Sequence, residues 1–178
     1  SAVEYAVRMC EFDPSQDLAT QLEAGRVSLS DVRSLAIKIA EFHRHAAVAA
    51  AETPLGDMVS IRDQIVDNLA VLEGCLEQSE DIAAIRRLDD WLRRSLAKSR
   101  PLLALRKRDG SVRECHGDLH AHNIVRWRQQ WTPFDCIEFN PDLRWIDVMS
   151  DVAFLFMDLV AHGRRDLALG FLSRYLEE

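Results

Sequence analysis

The stretch CHGDLHAHN, Cys115 to Asn123, decides how the chain is read. His116, Asp118, His120 and His122 alternate along it, and Asn123 closes it. Two chemistries compete for such a stretch. In an extended segment, residues two apart share a face, so the alternation would gather imidazoles and a carboxylate around a metal such as zinc. In a loop that leads into a strand, the carboxylate and the amide would count most, one beside a hydroxyl and the other beside a phosphate-bound cation.

Reading outward, SVREC (111–115) has the pattern of a short strand entering the loop, and NIVRWR (123–128) with WTPFDCIEF (131–139) that of two strands joined by a turn near Arg128 to Pro133. Asn123 would begin the first strand and Glu138 end the second, so antiparallel pairing would bring both to one open end, with neighbouring strands ~5 Å apart. An amide oxygen and a carboxylate are hard ligands of the kind magnesium takes while keeping waters and substrate phosphates. Asp118, five residues before Asn123, would sit in the loop leading to that end and could accept a proton from an incoming hydroxyl.

The rest of the chain is helical in period. Val32, Leu35, Ile39, Phe42 and Ala46 predict one helix from Ser28, with Ser28 or Ser30 as its cap. His43 and His45 ride on it as core-edge or solvated side chains. Met58, Ile61, Ile65, Leu69, Leu72 and Leu76 predict a second helix after the ETPLG turn. A third runs from about Asp81 through Ile82, Ile85, Leu88 and Leu92, with Pro101 either kinking it or starting a new segment, and Asp109-Gly110 ending it. Ile146, Met149, Val152, Ala153, Phe156 and Leu159 predict a closing helix, and Leu167, Ala168, Phe171, Leu172 and Tyr175 the last. VEYAVRM at the start reads as an isolated strand. The expected fold class is therefore mainly α with a small β-hairpin.

Composition narrows the function classes. A chain of 178 residues, 48% hydrophobic, can bury its own core. Its net charge of −7 argues against nucleic acid, whose binding depends on cationic side chains, and the basic residues between Arg86 and Arg113 read as a solvated helix face. The most apolar run, DVAFLFMDLVA (151–161), is interrupted by Asp158 and too short to span a bilayer, so no membrane segment and a cytoplasmic location are expected. The cysteines at 10, 75, 115 and 136 lack CxxC spacing and read as reduced thiols.

His116-Gly117-Asp118-Leu119, with Asn123 five residues after the aspartate, resembles the protein-kinase catalytic loop H-x-D-L-x-x-x-N. The glycine after the histidine, the Ile137-Glu138-Phe139 strand end and the later Asp147-x-x-x-Asp151 resemble the aminoglycoside phosphotransferase branch of kinase-like enzymes. FDCIEFNPDLRWIDVMSDVAFLFMDL (134–159) resembles more closely an uncharacterised bacterial group in that branch, often fused to a P-loop kinase-like domain. The match is strong from about Glu114 to Leu159.

The resemblance implies the C-terminal lobe of a protein-kinase-like fold, α+β overall, with residues 1–12 as hinge and last N-lobe strand and 13–178 as the helical lobe. Within it, 115–125 would be the catalytic loop and 123–139 the metal hairpin. Asp118 would be the catalytic base, Asn123 and Glu138 the magnesium ligands, and His116 and Asp151 supports of the loop. Val125 and Ile137 would form the floor under the adenine of ATP or another nucleotide, and Met9 would face the adenine edge. The implied reaction is phosphate transfer to a small-molecule hydroxyl.

Two features depart from the family's pattern. Glu138 stands where kinases usually carry aspartate, one methylene shorter. No G-x-G-x-x-G occurs, and the lysines, Lys38, Lys98 and Lys107, all lie in helical patterns, so the expected N-lobe is missing and the isolated chain should catalyse poorly. Two alternatives stand beside this reading: a metal-dependent hydrolase using His116, Asp118, His120 and His122, and a noncatalytic kinase-like module. The acceptor is open among aminoglycosides, sugars and choline-like alcohols.

Overall fold

The structure is a computed structural model that describes residues 11–76 and 79–178. The VEYAVRM strand and Met9 lie outside the described residues. Among those described, the chain divides into two compact units: residues up to Glu41 with Asp118–Cys136 and Val152–Glu178, and Phe42–Gly117 with Ile137–Asp151. The mainly helical expectation with a small antiparallel hairpin holds, and a second two-stranded sheet accompanies it.

In the first unit, a 3-10 turn at Pro14–Gln16 leads into helix α1 (Leu18–Glu23), capped by Asp17, whose carboxylate accepts the Thr20 N–H at 2.6 Å. Helix α2 (Leu29–His45) starts here and buries Val32, Leu35, Ala36 and Ile39. Strands β2 (Ile124–Trp127) and β3 (Gln130–Pro133) pair antiparallel, Ile124 opposite Pro133. The chain-terminal helix α7 (Arg165–Leu176) adds Leu167, Ala168 and Phe171 to a core that also takes Leu119, Ile124, Leu155 and Leu159.

The hairpin corrects the expected extent of 123–139. Its turn is the pair Arg128 and Gln129, at φ 49° and 66°, the left-handed conformations that a tight hairpin requires. The second strand stops at Pro133 rather than Glu138. Proline brings no N–H to extend the ladder, and Asp135 at φ 59° turns the chain away. Asn123 sits in a 3-10 turn (Ala121–Asn123) just before β2, and the residue bonded across from it is Phe134, whose N–H meets the Asn123 carbonyl at 3.0 Å. Glu138 lies in the loop beyond, in the segment that belongs to the second unit.

The second unit carries the long helices α3 (Met58–Gly74) and α4 (Ser79–Arg108). Asp57 caps α3 through the N–H groups of Val59 and Ser60. α4 runs unbroken through Pro101. Strand β1 (Val112–Glu114) pairs not with the hairpin but with β4 (Trp145–Asp147), Arg113 opposite Ile146. Ile146, expected in a helix, is thus a strand residue. A short helix α5 (Pro141–Arg144), capped by Asn140, precedes β4, and helix α6 (Val148–Ala161) follows it.

Candidate functional site

The anchor of the loop lies in the second unit. Asp151, in the first turn of α6, is 1% exposed, which no unpartnered carboxylate could sustain. Its Oδ2 accepts the His116 N–H at 2.8 Å and its Oδ1 the Gly117 N–H at 2.9 Å. His43, near the end of α2, is 3% exposed and brings Nε2 to 3.2 Å from the same Oδ2. His116 itself is buried, and its carbonyl accepts the Ile137 N–H at 3.0 Å. Asp151 therefore holds the backbone on the N-terminal side of the Gly117-Asp118 junction, and His43 completes its hydrogen bonds.

Cys115 completes a buried trio. His43, Cys115 and Asp151 offer ligand atoms within 4.8 Å of one another, the group among the described residues that could hold a metal ion. Its members are already committed: Asp151 to two backbone N–H groups and His43, and the Cys115 thiol to the Ile146 carbonyl at 3.5 Å. Burial, with the charges of Asp151 and Asp147 adding, pushes that thiol's pKa well up and so opposes the thiolate a metal would need. The trio is a hydrogen-bonded brace. It contains none of the residues expected of a metal hydrolase except by adjacency in sequence.

The Asp118 side of the loop lies in the first unit. Asp118 keeps its carboxylate 41% exposed. Asn123 spends its amide N–H groups on it, donating to the Asp118 carbonyl at 3.0 Å and to Oδ2 at 3.1 Å. That bonding fixes which way the amide faces and turns its Oδ1 to the other side, where it accepts no hydrogen bond from the described residues. His120 Nε2 stands 3.4 Å from Asp118 Oδ2, and exposed His122 places Nδ1 3.7 Å from Asp17. A further support comes from Asp158 on α6, which accepts the Ala121 N–H at 2.6 Å. Val125 is buried in β2 and bridges to Asp17.

The exposed Glu138 carboxylate has no bonded partner among the described residues, and Ile137 is half-buried. Taken singly, the Asn123 amide oxygen in the first unit and the Glu138 carboxylate in the second are each a hard oxygen donor of the kind magnesium takes.

Sequence reasoning missed two supports, Asp158 and His43. Asp158 interrupts the apolar run that follows Asp151 in α6, and a carboxylate there signals a polar partner. His43 falls four residues after Ile39 on the buried stripe, while Phe42, assigned to that stripe, is 46% exposed.

No protein-family model matches the chain. No solved structure matches it. It is 30% identical over 172 residues to proteins of Mycobacterium bovis and Mycobacterium tuberculosis named only as uncharacterized, the match covering 97% of this chain and 34% of each relative. The chain thus spans about a third of the length of the curated relatives it matches.

Proposed function

We propose that the chain is the catalytic-loop lobe of an ATP-dependent phosphotransferase acting on a small-molecule hydroxyl. The observation that carries this reading is the Asp118–Asn123 pair: a partly exposed carboxylate oriented by an amide whose own oxygen accepts no bond from the described residues. Asp118 would take the proton of the acceptor hydroxyl as that oxygen attacks the terminal phosphate. Asn123 and Glu138 would hold magnesium, which when bound supplies charge neutralisation at the nucleotide phosphates. Asp151 and Asp158 serve by fixing the loop backbone, since a carboxylate misplaced by about 1 Å costs on the order of 100-fold in rate. The kinase-like lobe, the adenine floor of Val125 and Ile137, and a cytoplasmic site of action belong to the same proposal.

The longest natural form of the protein, incubated with γ-labelled ATP, magnesium and a panel of sugars, choline-like alcohols and aminoglycosides, should yield a labelled organic product. Asn123→Ala should reduce the yield about 10-fold or more and raise the magnesium requirement. Zinc-dependent release of phosphate from esters, with no labelled acceptor at any magnesium concentration, would replace the reading with a hydrolase.

A further inference from the structure

The second unit contains an open pocket of about 780 Å³ between the 51–59 segment and the last turns of α4, with Arg100, Pro101, Ala104 and Arg108 exposed along it, a volume typical of small-molecule sites. Arg100, Ala104, Lys107 and Arg108 recur at the spacing of one helix face and line one wall. Pro54, Gly56 and Met58 belong to the other.

Among the described residues, the cations in this wall are not paired with carboxylates, whereas two other arginines of α4 are. Arg106 grips Asp147 with two bonds of 2.5 and 2.7 Å, and Arg93 holds Asp89 at 2.8 and 2.9 Å. Arg100 and Arg108 have no bonded partner among the described residues, and Lys107 donates to the main-chain carbonyl of Thr53, which leaves its charge uncompensated. Of the carboxylates at the pocket, Asp57 is committed to the N–H groups of Val59 and Ser60, and Glu52 stands exposed at the rim. Positive charge is therefore in excess in a chain whose net charge is −7. Arg100 and Arg108 are eight residues apart, ~12 Å along the helix, with Pro101 and Ala104 between them.

We propose that this pocket binds a small organic phosphate, its anionic group at Lys107 and Arg108 and its apolar body along Pro101, Ala104 and Met58. Adjacent cations suit a dianion, and the remaining lining is mostly apolar. The site is separate from the residues assigned to phosphate transfer and does not depend on that assignment.

Phenyl phosphate titrated calorimetrically into the full chain at low salt should bind saturably at one site. Arg108→Gln should weaken it about 10-fold or more, the loss expected for one charge-assisted hydrogen bond, and phenol should give no measurable binding. Arg93→Gln, which removes the same charge from a paired arginine, should bind as the unaltered chain does. Because Arg108 has no bonded partner among the described residues, its variant should melt at an unchanged temperature, which separates lost binding from lost folding. No saturable binding, equal weakening by Arg93→Gln, or undiminished binding by Arg108→Gln would each overturn the proposal.

Discussion

A methyl group on Gly117 would have no room. The residue sits at φ +85°, and a Cβ there would lie 2.6 Å from the Leu143 carbonyl oxygen, a backbone atom that cannot step aside. The glycine of the HGD sequence thus lets the chain pass α5 while both its N–H and that of His116 turn to Asp151. Gly117→Ala should lower the unfolding free energy by about 2 kcal/mol or more in urea titration, and an unchanged midpoint would mean that the loop has another conformation. The glycine's identity was legible in the sequence, but its cause was not, because Leu143 approaches from 26 residues away. The same holds for His43. Its place on the buried stripe could be read from spacing, yet only the fold shows the carboxylate that makes burying an imidazole tolerable.

Among the elements, α2 has its start written twice. Ser28 and Asp31 form a reciprocal box: the Ser28 N–H donates to Asp31 Oδ2 at 2.9 Å, and the Asp31 N–H to Ser28 Oγ at 3.2 Å. Trp131 on β3 adds its indole N–H to Asp31 Oδ1 at 3.1 Å, which ties helix to hairpin within the first unit. Burial alone would raise the Asp31 pKa, but the Ser28 bonds, Trp131 and Arg126 outweigh it and leave it lowered. A lowered folded pKa means that the stabilisation is full above the unfolded value of ~3.9 and is lost as pH falls through the folded one. Asp31→Ala should therefore cost on the order of 1 kcal/mol at neutral pH, and thermal melts of variant and unaltered chain should converge below about pH 3. A gap that persisted there would assign the effect to packing instead.

Period and capping residues made the long helices legible. The hairpin turn and β4 were not, for different reasons. Arg128-Gln129 lacks the glycine or asparagine that announces two left-handed residues, and β4 is three residues whose strand character exists only through pairing with β1. Pro133 was visible as a strand breaker and should have ended β3 where it does.

For the molecule as a whole, one of the points where the chain passes between the two compact units falls between Gly117 and Asp118. The two sides of one short motif are thus held by different sets of buried residues. Asp151 with His43 holds one side, and Asp158 with the Leu119 and Ile124 core holds the other. The motif stood out as a candidate in nine letters of sequence because the proposed chemistry rests on residue type and local spacing. Its supports could not, since they come from helices far along the chain. The direct test of Asp118 as base is a side-by-side measurement of Mg-ATP affinity and phosphate transfer in the longest natural form, unaltered and as Asp118→Ala. Nucleotide affinity should stay within about 2-fold while transfer falls by roughly 100- to 10,000-fold, the range of a lost general base. Transfer undiminished by the substitution, or stoichiometric zinc that copurifies and is expelled by His120→Ala, would contradict it.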